Sequence, residues 1–566
     1  MSMIRHCALQ LIAQLTLLAQ VPVAARVSPA ESAAAASMRS ESIRADVGYL
    51  ASDLLEGRGP ATRGDQLAQA YVAARMEAIA LEPAGDAGSF FQVVDLVGVR
   101  TRAPERFAFQ RGGDALALRE GLDFVAFTAA APETRVRGEV VFVGYGIHAP
   151  EFDWDDYKGA ELKGKVLLML NNDPEDDPRA FGGKARLYYG RYDYKYAMAA
   201  SMGAAAAILV HTDASAGYKW QVVQTGWAAG RERFQLPSPS TPMPALRGWL
   251  TEDASRRLAQ HGGQDLDALR ASAQRRDFKP VPLGVTLDAV LTAEVEPKKT
   301  GNVIGRLPGR DPLLAREAVL YTAHHDHLGL RSDAKPGEDA VFNGALDNAS
   351  GVAGMLAIAE AMKALKTRPL RTVYFAAVGA EEQGLLGSEY LAAHPPVHPG
   401  RLAANINIDG LSIYGRSRDV ILVGLGKSNL DDRLRALAAM QGRVVIPEPF
   451  PDKGFFYRSD QLNFARIGVP AAYADAGMDV IGKPAGWGRA QQLDYEARHY
   501  HQVSDELRDW DLEGAVEDLR LFFHLGVQVA NAARMPAWKP GDEFEAARKK
   551  ALAEAARDGA AAAARP

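Results

Sequence analysis

The chain contains short apolar runs that end abruptly on polar residues. Residues 318–323 read Ala-Val-Leu-Tyr-Thr-Ala, and residues 372–378 read Thr-Val-Tyr-Phe-Ala-Ala-Val. A third run, Ile406-Asn407-Ile408, is shorter. Near-continuous apolar stretches of this length predict strands buried on both faces of a sheet. Between the first two lies 351–365, where Val352, Met355, Leu356, Ala359 and Met362 recur at helical spacing. Asp347, Asn348 and Ser350 are suited to cap that helix. Strand, helix, strand predicts an α/β fold: a mixed, mostly parallel central sheet flanked by helices.

The flanking segments extend this pattern. Residues 43–54 and 66–79 read as helices around a turn-rich Leu55-Glu56-Gly57-Arg58-Gly59, to which no chemistry is assigned. The texture changes over 136–295. Strands are predicted at 139–147, 164–170 and 205–210, with a helix at 194–202. Residues 171–177 read as a solvated acidic loop, with calcium binding as the alternative. The chain rejoins the first sheet near Asn302, and 477–498 reads as a long loop able to wall a substrate pocket. Residues 512–533, with Leu519, Phe522, Phe523 and Val527, form a last packed helix that Pro536 stops. The domains expected are 40–135 and 296–535 for one unit, 136–295 for an insertion, and an Ala- and charge-rich tail over 536–566 that beyond Pro540 reads as helix or as disordered.

The polar residues after the strands carry the candidate chemistry. His324, Asp347, Glu381-Glu382, Asp409 and His501 form an ordered series of imidazoles and carboxylates. Ligands of open α/β sheets gather at the carboxyl ends of the strands. Two divalent metals need a bridging carboxylate and about two further protein ligands each. Asp347 is the expected bridge, with His324 and Asp409 on one metal and Glu382 and His501 on the other. His499 competes with His501. Glu381 is left over beside Glu382, where a general base belongs. Asp326, two residues after His324, is placed to hold its imidazole tautomer. Tyr500 is a candidate oxyanion donor. His325 and His327 are expected to point away from the site.

These residues sit in segments that resemble peptidase family M28, the dizinc aminopeptidase and glutamate carboxypeptidase group. The matching segments are Ala323-His324-His325-Asp326-His327-Leu328-Gly329, Asp347-Asn348-Ala349-Ser350-Gly351, Ala380-Glu381-Glu382-Gln383-Gly384 and Asn407-Ile408-Asp409. Tyr500-His501 followed by Asp505 resembles the family's last ligand motif, which selects His501 over His499. Ser459-Asp460 also matches, although Gln461 stands where the family usually has His. The resemblance implies a zinc exopeptidase fold of the phosphorylase/hydrolase type, two Zn2+ ions and hydrolysis of peptide bonds at chain ends. It also implies that 136–295 is an inserted, β-rich protease-associated (PA) domain. The full ligand set disfavours the receptor-like members and the single-zinc glutaminyl cyclases.

The remaining features narrow the setting. Residues 1–25 read as a signal peptide, with a short basic start, an apolar stretch broken by glutamines and a small-residue cleavage site at Val23-Ala24-Ala25. This predicts a periplasmic or extracellular protein with no stable membrane association after cleavage. Cys7 is the only cysteine, so the mature chain is expected to have neither a disulfide nor a thiol nucleophile. A net charge of −5 and the lack of a basic run point away from nucleic acid as a partner. Peptides are the expected substrates, and the expected activity is that of an aminopeptidase using a metal-bridging hydroxide and Glu381 as base. Two alternatives stay open. A carboxypeptidase of the glutamate carboxypeptidase type would need a cation for the substrate carboxylate, for which Arg458 is a candidate. A receptor-like protein that binds without turnover is the other.

Overall fold

A strand can be apolar along its whole length only if both of its faces are covered, and the central strands meet that condition. The computed structural model describes residues 26–175, 181–239, 242–331 and 334–563. Residues 1–25, expected to be a signal peptide and including Cys7, lie outside the described residues. Ala318–His324 is fully buried and pairs in parallel with Thr372–Val378 on one side and Leu402–Asn407 on the other. Ala471–Asp475 continues the parallel set beyond Leu402–Asn407. Antiparallel strands extend it at both sides: Asp419–Val423 beyond Ala471–Asp475, and the end of Val281–Leu307 beyond Thr372–Val378. The result is the expected α/β fold with a mixed central sheet. No helix of the described residues is long and apolar enough to cross a membrane.

Helices cover both faces of this sheet. Ser350–Lys363 is buried along almost its full length, which explains why its sequence is apolar nearly all round. Its start differs from the expectation. The Asn348 side chain accepts from the Gly351 N–H at 2.9 Å, whereas Asp347 caps nothing and faces the strand ends. Glu513–Asn531 packs on the same core, and Tyr321 ties it to the sheet. The Tyr321 ring stacks on Phe375 at 5.3 Å, and its hydroxyl donates to the Phe522 carbonyl at 2.8 Å.

A second sheet is built on the same long strand. Residues 281–292 of Val281–Leu307 pair with Glu133–Phe142 in this second sheet, whereas residues 293–303 pair with Phe91–Thr101 in the first. The second sheet also holds Arg106–Arg111, Phe124–Thr128, Val166–Leu170, Ala206–His211 and Leu246–Thr251. It therefore begins before residue 136. Its far limit falls inside one continuous strand, so no turn residue marks it. This unit has its own apolar core, which includes Phe109, Phe142, Ile208 and Leu287.

Two other segments differ from the sequence reading, and the tail is helical, one of the two states expected of it. Most of 477–498 is not loop: Trp487–Arg498 is a helix. It buries only Gly488, so it lacks the apolar stripe that reveals a helix in sequence. The tail contains Glu545–Ala563, a helix anchored by the buried Arg548, whose guanidinium donates to the Leu402 carbonyl at 2.9 Å. In the acidic loop, Asp173 is buried and accepts from the Leu187 N–H at 2.9 Å.

The contact between helix and sheet leaves no room at Gly526. A Cβ there would lie 1.8 Å from the Tyr321 hydroxyl. Alanine normally favours a helix over glycine, but overpacking of a core costs about 1–3 kcal/mol. Gly526→Ala is therefore expected to lower the unfolding free energy, measured by urea denaturation. A variant as stable as the parent would contradict this packing.

Candidate active site

Parallel strands present their carboxyl ends at one edge, and the candidate residues collect there. His324 closes Ala318–His324, Glu381 and Glu382 follow Thr372–Val378, and Asp409 follows Leu402–Asn407. Asp347 enters from the segment before helix Ser350–Lys363, and His501 from beyond helix Trp487–Arg498. His501 has a positive φ of 58°. For a non-glycine residue this conformation costs about 1–3 kcal/mol, and such strain clusters at functional sites.

The geometry centres on the Asp347 carboxylate. One of its oxygens lies 3.2 Å from His324 Nε2, and the other lies 3.2 Å from His501 Nε2. His324 Nε2 is also 3.3 Å from Asp409 Oδ1, and His501 Nε2 is 3.1 Å from Glu382 Oε2. Two groups of potential ligand atoms, each within 4.8 Å of one another, are His324 with Glu381 and Asp409, and His327 with Asp347 and Glu382. The structure thus brings His324, Asp347, Glu381, Glu382, Asp409 and His501 to one place. His499 is turned away, with its Nδ1 2.8 Å from the Ser504 hydroxyl.

His327 departs from the expectation that it points elsewhere. Its Nδ1 lies 2.7 Å from Glu382 Oε1. The strand ends at His324, so alternation no longer governs His327, three residues further on. His325 does point away, with its Nε2 2.9 Å from the buried Asp65.

Asp326 serves the site in a different way from the one expected. The His324 Nδ1 is 3.2 Å from the Asp326 main-chain oxygen but 3.9 Å from its carboxylate. The carboxylate instead accepts from the N–H groups of Glu381 and Glu382, at 3.0 and 3.3 Å. It therefore fixes the turn that carries both glutamates. The Tyr500 ring stacks on His501 at 3.9 Å.

Two further residues hold the site, and sequence reasoning missed both roles. Asp505 accepts from the N–H groups of Leu346 and Asp347 at 3.0 and 3.1 Å, and from the Tyr495 hydroxyl at 3.2 Å. Its spacing of four after His501 was the available signal. Arg58, in the turn-rich segment assigned no chemistry, is buried beneath the site. Its guanidinium donates to the carbonyls of His325, Asn343 and Gly344 at 2.8, 2.7 and 2.8 Å, and also to that of Leu50. Arginine in a turn carries no distinctive pattern, so this role was not readable in advance.

Electrostatics shows how crowded the carboxylates are. Burial pushes the Glu381 carboxyl well above the usual range; His324 opposes this, but Glu382, Asp460 and Asp409 push the same way. Burial would also raise Glu382, but His501 and His327 hold it down at about 2. Burial works against the charged form of His324 too, yet Glu381, Asp409 and Asp347 raise its pKa well above the ordinary value. Burial lowers Arg58 to about 10, against the pull of Asp326, Asp505, Asp347 and Glu382. Paired imidazoles and closely spaced carboxylates are a donor set suited to divalent cations.

A cavity of about 960 Å³ opens over these residues. Its floor includes His324, Asp347, Glu381 and His501, while Tyr192, Tyr218, Trp227 and Arg233 of the second-sheet unit form the facing wall. Helix Trp487–Arg498 contributes Gln492, Leu493 and Tyr495. The segment 477–498 therefore does wall the cavity, as a helix.

An α/β sheet with imidazoles and carboxylates at the carboxyl ends of its strands defines a hydrolase-like metal-site architecture. The comparisons make this more specific. The model of peptidase family M28 matches residues 302–523, the stretch that contains every candidate ligand. Over that stretch the chain is similar to peptidase family M28. Leupeptin-inactivating enzyme 1 of Streptomyces exfoliatus is 27% identical over 212 residues, covering 36% of this chain and 43% of that protein. The chain thus spans less than half the length of this curated relative. Among solved structures, an aminopeptidase from Aneurinibacillus sp. strain AM-1 aligns over 89% of this chain and 97% of its own, with a TM-score of 0.50 and 19% identity. That likeness supports the overall fold. A zinc aminopeptidase from Bacillus subtilis aligns over 90% and 99% of the two chains, with a TM-score of 0.42 and 17% identity.

Arg58 offers a direct test of the support beneath the site. Arg58→Met would leave several buried carbonyls without a donor, each costing about 1–3 kcal/mol. A loss of about 3 kcal/mol or more in unfolding free energy is expected by chemical denaturation, with Arg58→Lys recovering part of it. An unchanged midpoint for Arg58→Met would remove Arg58 from this role.

Proposed function

We propose that this chain is an exported dizinc exopeptidase, an aminopeptidase that removes residues from the amino ends of peptides. The observation that carries this reading is the Asp347 carboxylate, which faces His324 with one oxygen and His501 with the other, both at 3.2 Å. This is the disposition of a bridging ligand. His324 and Asp409 would hold one Zn2+, Glu382 and His501 the other, and Asp347 both. The pair of ions, when bound, supplies Lewis acidity to the scissile carbonyl and to the attacking water.

The protein groups do the rest. Glu381 lies beside the ligands in a buried site that raises its pKa, which suits a group that accepts and returns a proton. It takes the proton of the attacking water and passes it to the leaving amine. Asp326 holds Glu381 in place through its main-chain N–H. Tyr500 donates a hydrogen bond to the tetrahedral oxyanion. The second-sheet unit, read as a protease-associated domain, acts as a wall that limits substrate access. Arg458 Nη2 donates to the Tyr500 hydroxyl at 3.3 Å.

The test compares zinc-loaded protein on aminoacyl-anilides and on N-blocked dipeptides, with and without a chelator. Chelator-sensitive release from the free-amine substrates alone is expected; cleavage of only the blocked dipeptides would move the assignment to a carboxypeptidase. Glu381→Gln is expected to keep two zinc ions per chain by elemental analysis while kcat falls about 10²–10⁴-fold. Near-normal turnover by that variant would refute the base assignment.

A further inference from the structure

Arg458 is a cation without a carboxylate partner among the described residues; its electrostatic partners are the hydroxyls of Tyr500 and Tyr218. It lines the cavity and sits among aromatic rings. Its guanidinium carbon is 5.3 Å from the Phe455 ring, 5.8 Å from Tyr218 and 6.0 Å from Tyr500. The only side-chain hydrogen bond of Arg458 among the described residues runs from Nη2 to the Tyr500 hydroxyl oxygen at 3.3 Å.

The direction of that bond is decided by chemistry. A guanidinium has donors and no acceptor, so the phenol oxygen must accept. The Tyr500 O–H hydrogen is then available for a second partner. Tyr500 lines the cavity, and its ring is stacked on His501 at 3.9 Å with a 25° tilt. Stacking fixes the ring, and the arginine fixes the rotation of the hydroxyl. What remains is a donor held next to a candidate metal ligand.

We propose that Arg458 is a positioning residue for the reaction: it orients the Tyr500 hydroxyl so that its hydrogen meets the oxyanion of the tetrahedral intermediate. This rests on the peptidase reading above. The second-sheet unit takes part, because Tyr218 covers one side of the guanidinium and the Arg191 guanidinium donates to the carbonyl of the adjacent Tyr457. A wall of the cavity thus supports the chemistry through one cation.

The test is a double-mutant cycle on the zinc-loaded full chain, with zinc content and melting temperature checked for each variant. Tyr500→Phe is expected to lower kcat about 10²–10³-fold, as for loss of an oxyanion donor. Arg458→Met is expected to lower kcat about 10–100-fold with KM changed less than about twofold. In the Tyr500→Phe background the same change should cost less than about twofold, because the two residues act as one unit. Arg458→Lys should restore part of kcat, and it serves as the test if Arg458→Met does not fold. Binding of an alkyl boronic acid, a mimic of the tetrahedral oxyanion, should weaken in parallel with kcat. A raised KM with effects that add to those of Tyr500→Phe would make Arg458 a substrate-binding cation and overturn the proposal. So would full activity of Arg458→Met or of Tyr500→Phe. Failure of the peptidase reading shows separately, as an absence of chelator-sensitive cleavage by the unsubstituted protein.

Discussion

Carboxylates brought within a few ångströms of one another in a buried site repel, and the rest of this structure answers that constraint. Asp347, Glu381, Glu382 and Asp409 share one sheet edge, with Asp326 and Asp505 just behind them. The protein offsets the repulsion in two ways. His324, His327 and His501 sit directly against the carboxylates, and Arg58 places a full positive charge beneath them. Main-chain N–H groups do the remainder, binding Asp326 and Asp505 so that those carboxylates position backbone. A site that is crowded with negative charge and rigidly held is prepared for divalent cations.

The same rigidity accounts for the long reach of the supporting network. Arg58 comes from the beginning of the described chain, yet its guanidinium clasps the carbonyls of His325 and Gly344. Asp505 comes from near the end and holds the N–H of Asp347. Between them they fix both segments that flank the candidate bridge. The second sheet adds a wall, joined to the first by a single continuous strand, Val281–Leu307. Because that strand belongs to both sheets, the cavity wall and the strand edge are built on one backbone element.

Much of this was legible in the sequence. The buried strands, the helix between them and the polar residues at their ends follow from periodicity and from where each apolar run stops. The identity of His324, Glu381, Glu382 and Asp409 as candidates came from those stops. The helix at Trp487–Arg498 was not legible, because its exposed, polar surface lacks a 3.6-residue stripe. Arg58 and His327 were not legible either. One looked like a turn residue, and the other lay past the end of a strand, where alternation ceases to apply.

The sequence by itself determined the α/β class and the types of donor available, since local hydrophobic pattern and residue chemistry do not depend on what folds against them. Only the tertiary structure decided which histidine meets which carboxylate, that Asp326 braces a turn through its carboxylate, and that Arg458 meets Tyr500. These are contacts between segments tens to hundreds of residues apart. Their geometry is set by sheet register, helix docking and the direction of each hydrogen bond. No pattern along the chain encodes them one residue at a time.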